Sequence, residues 1–267
     1  MLEQEKVLAE IDLNYLSRVK VEKEVWKINA EGMYYKDLNS LLRLISSNGA
    51  ERIEICNVCG QRYIGTDLEM DKQIEIFGTP GNDLGAFMNG PQIVVHGNVQ
   101  DGCGNTMNEG QIVVHGQAGD LAGHSMRGGK IFVRDDVGYR VGIHMKEYKR
   151  KVPKIVIGGA AGDFLAEYMA GGVVLVLGLT LAECERCKAR FVGTGMHGGV
   201  IYERGDILEL GKGTKIMKIG KRDIRVIESL VNEYCDYFGV NFEKVMSKKF
   251  RRIVPMSKRP YEQLYSH

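Results

Sequence analysis

Residues 92–110 read QIVVHGNVQDGCGNTMNEG, and residues 111–129 read QIVVHGQAGDLAGHSMRGG. Both stretches open on the same six residues and last 19, and the period continues outward from them. Units begin at Gln73, Gln92, Gln111 and Lys130, then at Lys154 after an insertion in KEYKRKVP. They continue at Val173, and at Val200 after a second insertion around AECERCKAR. A fixed period of this size marks a solenoid, in which each unit buries its apolar face against its neighbours. Six full coils and the start of a seventh are expected.

Comparing the units position by position assigns each one a role. One residue in stand Ile74, Ile93, Ile112, Ile131, Ile155 and Val174; three residues in stand Ile76, Val95, Val114, Val133, Ile157 and Val176. Side chains two apart on a strand share a face, so these point inward. The next position varies freely (Phe77, His96, His115, Arg134, Gly158, Leu177), as an outward face does. A methionine recurs fifteen residues in, at Met88, Met107, Met126, Met145 and Met169, with Met196 displaced by the insertion. Stacked coils turn these into a ladder.

Glycines follow a G-xx-G-xxx-G spacing: Gly78, Gly81 and Gly85, then Gly116, Gly119 and Gly123, with Gly97, Gly104, Gly138, Gly142, Gly159 and Gly162 keeping part of it. Such residues suit corners that need positive φ or close backbone approach. The pattern predicts a mainly β fold: a single-stranded right-handed parallel β-helix of about six to seven coils, each with three short strand-and-corner segments. Asp135 and Ala166 replace repeat glycines, and a reshaped corner is expected there.

The flanks divide the chain into an N-terminal α/β cap (1–72), the glycine-repeat β-helix (73–205), and a C-terminal strand and helix segment with a basic tail (206–267). Spacing of Leu2, Val7, Ile11, Leu13 and Leu16 suggests a helix over 2–19. VWKI and RIEIC read as strands, with a helix from Asn39 to Asn48-Gly49 between them. ILELGKGTKIMKI reads as a strand pair, IRVIESLVNEYCDYFG as a helix stopped by Gly239, and Phe242–Met246 as a further short helix.

With 267 residues, 36 basic and 34 acidic side chains and a net charge of +2, the chain lacks the broad basic field of a general nucleic-acid binder. No apolar run approaches the roughly 18 residues of a membrane span. The N-terminus lacks the pattern of a signal peptide, and six cysteines in such a chain read as free thiols or ligands, so a cytoplasmic protein is expected.

Several strings resemble sites. Gly193, Gly195 and Gly198 spell G-x-G-x-x-G, but VIYERG after them is strand-like, whereas a dinucleotide site needs a helix there. GHSMRG places Ser125 near a nucleophile elbow with its second glycine one position late. Cys56 and Cys59, with Cys184 and Cys187, make two CxxC pairs whose thiolates suit zinc or an iron–sulfur cluster. His96 and His115 share an outward position on adjacent coils and are a candidate ligand pair. Lys244, Lys248, Lys249, Arg251, Arg252, Lys258 and Arg259, interleaved with Phe250, Tyr261 and Tyr265, suit an arm that docks on protein. No residue stands out as catalytic or as a cofactor ligand.

GTPGNDLG, GQAGDLAG, NVCGQRYIG (57–65) and VGTGMHGG (192–199) together resemble the C-terminal GXGXG domain of the glutamate synthase large subunit, in its stand-alone version. The β-helical subunit of formylmethanofuran dehydrogenase shares the glycine repeats and is the alternative, with a stand-alone esterase using Ser125 behind it. The first resemblance implies a non-catalytic scaffold. FMN and iron–sulfur centres would reside on the amidotransferase and synthase polypeptides that it joins. A homo-oligomer stays open.

Overall fold

The structure, a computed structural model, describes residues 13–69, 71–182 and 189–257. One 12-stranded sheet runs the length of the molecule among these residues. Its middle is the repeat: β4 (Gln73–Thr79), β5 (Asn89–His96), β6 (Glu109–Val114), β7 (Lys130–Val133), β8 (Lys154–Ile157), β9 (Ala170–Val176) and β10 (Gly198–Arg204). All are parallel, and Gln73, Gln92, Gln111, Lys130, Lys154, Val173 and Val200 lie side by side in one register. Both inward aliphatic columns are fully buried, as are the methionines from Met88 to Met169, with Met196 only 3% exposed. The fold is thus the parallel β-helix of the 19-residue period.

The stack starts before Gln73. β2 (Val25–Asn29) and β3 (Arg52–Cys59) are its first strands, with Trp26 beside Ile53 and Ile53 beside Ile74. Helix α2 (Tyr35–Ser47) is the crossover that lets β2 and β3 run parallel, and its Leu38, Leu41, Leu42 and Ile45 join the same core. The helix begins at Tyr35, not Asn39, whose side-chain amide instead donates to the carbonyls of Tyr35 and Arg62. Of the helix expected over 2–19, α1 (Leu13–Leu16) is described, and residues 1–12 lie outside the described residues. β1 (Val19–Glu22) follows it as a strand antiparallel to β2.

At the other end, β12 (Phe250–Pro255) inserts antiparallel between β10 and β11 (Thr214–Met217). The strand pair expected within 207–219 is therefore made with the tail, and Arg251 and Arg252 sit in a strand, not on an arm.

Each coil holds one full strand rather than three. The second segment shrinks to a one-residue bridge, joining Val99 to Ala118 and Ala118 to Val137. The third is a corner without strand, described below. The outward face of the strands is covered, not open. Val113, Phe132, Val156, Leu175 and Tyr202 form a second core with Ile227, Leu230, Val231 and Tyr234 of α3 (Lys221–Phe238).

Side-chain contacts fix the direction of α3 along the stack. Near its start the Tyr202 hydroxyl donates to Asp223; near its end Gln111 donates to Tyr237, and His115 meets Phe238 edge-on. From Asp223 to Tyr237 a helix advances roughly 21 Å. The strands holding Gln111 and Tyr202 are four spacings apart, about 19 Å. The short helix α4 (Phe242–Met246) packs beside it through Val245.

Candidate functional site

The corner repeats in seven copies, each placing three alternate residues in the left-handed region at φ between +52 and +74: Tyr63/Gly65/Asp67, Asp83/Gly85/Phe87, Gly102/Gly104/Thr106, Leu121/Gly123/Ser125, Arg140/Gly142/His144, Phe164/Ala166/Tyr168 and Phe191/Gly193/Gly195. Hydrogen bonds explain why the conformation persists. The outer two donate their N–H groups forward to the next coil, as Leu121 to Tyr139 and Ser125 to Ile143, while the middle one donates back, as Gly123 to Cys103. From Gly85 onward each corner is held by the coils on both sides, the condition under which strained backbone survives. GQRYIG, ahead of the first full repeat, holds the first of these corners.

The middle column points into the core. A Cβ on Gly104 would stand 2.5 Å from Ile131 Cδ1, and one on Gly85 would stand 2.8 Å from Ile112 Cδ1. Ala166 keeps the corner's geometry at φ +57, so the reshaping expected there does not occur. The remaining repeat glycines, Gly78, Gly81, Gly97, Gly116, Gly119, Gly138, Gly159 and Gly162, lie where consecutive coils touch; a Cβ on Gly97 would come 2.7 Å from the Gly78 carbonyl oxygen.

The outer columns point away from the core and carry large side chains. Tyr63, Phe87, Leu121, Tyr168 and Phe191 are each between 37% and 49% exposed, and neighbouring Tyr139 is 54% exposed. They stack along the axis: His144 on Tyr168 at 5.5 Å, Phe164 on Phe191 at 5.0 Å, with the Arg140 guanidinium 5.1 Å over Phe164. A non-glycine residue in this region costs about 1–2 kcal/mol. An aromatic row held on such backbone and left half in water is the surface expected of an interaction face. Sequence reading missed it, because no residue type holds from coil to coil along the length of these columns.

Ser125 is an outer corner residue at φ +53. Strand β7, not a helix, follows it, and its N–H is committed to Ile143. Among the described residues, no histidine or carboxylate hydrogen-bonds its hydroxyl. Gly193 and Gly195 are corner residues and Gly198 opens β10, so strand follows the dinucleotide-like string as well.

His96 and His115 stack at 5.4 Å with rings 17° from parallel, between Phe77 and Phe238, and His96 Nε2 lies 2.9 Å from Glu75. Stacked rings aim their nitrogens sideways, so the pair extends an aromatic column and does not converge on an ion. Burial, then the His96 charge, pushes the His115 imidazole below its ordinary value.

Cys56 is half-buried and Cys59 exposed, on either side of a bulge at Asn57, while Cys184 and Cys187 lie outside the described residues. Burial raises the Cys56 thiol. Cys103, absent from the expected sites, is fully buried in the core column of Leu84, Ala122, Val141 and Leu165, and burial pushes its thiol up to about 12. It is core filler. Among the described residues no three metal-binding side chains converge.

A groove of about 520 Å³ opens where α3 meets the inserted loop, over Gln92, Gln111, Lys130 and Lys154. Lys130 pairs there with Glu233 and Lys151 with Glu109, so the groove is a polar seam of largely matched charge. Of the basic residues expected on a docking arm, Arg251 pairs with Asp206 and Arg252 with Asp223, while Lys258, Arg259, Tyr261 and Tyr265 lie outside the described residues. No described helix is long and apolar enough to cross a membrane.

The sequence profile of the GXGXG motif family matches residues 42–258, which contain all seven corners. The chain is also 47% identical over 249 residues to Uncharacterized protein MJ1350 of Methanocaldococcus jannaschii, covering 90% of this chain and 95% of that protein.

Proposed function

Because the chain belongs to the GXGXG motif family, we propose that it is the structural subunit of a split glutamate synthase, converting glutamine and 2-oxoglutarate to two glutamates only as part of the assembly. In this reading the post is inert, and FMN and iron–sulfur chemistry reside on the synthase polypeptides. The observation that carries it is the row of half-exposed side chains on the left-handed corners, with the stacked pairs His144–Tyr168 and Phe164–Phe191. A solenoid presents such a row rigidly and at fixed spacing, as a scaffold requires.

Co-expression with amidotransferase and synthase polypeptides from the same genome tests the reading. Both are expected to co-purify with the wild-type chain, and to be lost when Tyr168→Asp and Phe191→Asp are combined. Recovery of neither polypeptide with the wild-type chain would sink it.

A further inference from the structure

Strand β11 ends the sheet. On one side it pairs with β12, Thr214 opposite Pro255 and Met217 opposite Arg252; on the other, no strand follows among the described residues. The Met256 N–H donates to the Gly213 carbonyl at 2.7 Å, which sets the alternation. Lys215 and Met217 therefore turn their backbone groups to β12, while Thr214 and Ile216 turn theirs away; Thr214 is buried, its hydroxyl donating to the Gly211 carbonyl, which leaves Ile216 and, next in the alternation, Lys218 accessible. Ile216 is 48% exposed and Met217 44%, and Met256, bonded to Gly213, is 62% exposed.

The edge segment itself carries charge of one sign. Residues 211–222 read GKGTKIMKIGKR, with Lys212, Lys215, Lys218, Lys221 and Arg222 and no acid. Lysines on an edge discourage pairing with a like strand. A second copy would bring the same five charges against these, so the edge repels its own kind and selects an extended segment of opposite sign.

We propose that β11 is a strand-addition site for an extended acidic segment of a partner protein, one that alternates carboxylates with apolar side chains. Backbone pairing at Ile216 and Lys218 supplies the geometry; Lys215 on one face receives the carboxylates, and Ile216 on the other receives the apolar positions. The proposal rests on the scaffold reading only for which polypeptide carries the segment.

The test uses the full chain and a peptide of about ten residues alternating glutamate and valine. Binding is expected to slow amide exchange at Ile216 and Lys218 and to weaken as salt rises from about 0.05 M to about 0.5 M. Lys215→Glu with Lys218→Glu should lower affinity about tenfold, two surface ion pairs being worth roughly 1 kcal/mol or a little more. The same peptide N-methylated at alternate amides should not bind. Equal binding of the methylated peptide would overturn the proposal, as would equal protection of these amides by single-stranded DNA of matched charge. A large rise in peptide affinity on removing residues 258–267 would also overturn it, since the chain's own end would then be the occupant. If the peptide binds but no polypeptide co-purifies, the edge stands and the scaffold reading falls; the reverse result spares the scaffold and removes the edge.

Discussion

Two columns of the same corner share a backbone conformation and differ in almost everything else. Gly85, Gly104, Gly123 and Gly142 sit at φ between +64 and +71; two residues on, Phe87, Thr106, Ser125 and His144 sit between +53 and +58. Strain from positive φ is common to both columns, so strain alone does not demand glycine. What demands it is direction: the middle residue faces the isoleucine column at contact distance, and the outer one points away from that column, Thr106 alone of the four being buried. Glycine here answers a packing constraint more than a torsional one.

The comparison breaks most visibly at Gly104→Ala, which adds overpacking against Ile131 to left-handed strain and should cost about 2–5 kcal/mol in denaturant unfolding. A cost below about 1 kcal/mol would show that the isoleucine column yields easily. Ser125→Gly has the opposite sign: strain is relieved at a half-buried position outside the core column, and stability should rise by up to about 1 kcal/mol. Ala166→Gly acts in the middle column itself, losing a buried methyl worth about 0.8 kcal/mol and gaining similar relief, so its midpoint should barely move. The smallest effect is electrostatic. The His115 imidazole is lowered chiefly by burial, so the unfolded chain binds the proton more tightly. Stability should therefore be complete above the ordinary histidine value and decline as pH falls below about 6.5. His115→Gln should flatten that decline, leaving the same-signed contribution of His124, also lowered by burial.

Legibility followed the same division. The inward columns recur as isoleucine, valine and methionine because the core admits few shapes, so the period and the strand register could be read directly. Outer corner residues vary as Phe87, Thr106, Ser125, His144 and Tyr168, since only their backbone repeats, and backbone torsion leaves no mark when the side chain is free. β2 and β3 escaped the period because Arg52 and Gln73 are 21 residues apart and the crossover helix intervenes, although Ile53 and Ile55 alternate as the later pairs do. β12 was hidden by its own chemistry: KKFRRIVP carries too much charge to look like a central strand. The cover over the strands did leave a trace. Val94, Val113, Phe132, Val156 and Leu175 are apolar at a position that an uncovered face would make polar.

That cover changes how the molecule should come apart. A stack whose coils touch only their neighbours can fray from either end, one coil at a time. Helix α3 joins the coil of Tyr202 to that of Gln111 and touches Lys130 and Arg134 on the way, through Glu233 and Tyr234. Coils under the helix are thereby tied into one cooperative unit, whereas those from Val25 to Thr79 are braced only by the shorter crossover helix α2. Native-state hydrogen exchange should divide the chain at that line, with β6 through β10 opening together and the first strands opening at lower free energy.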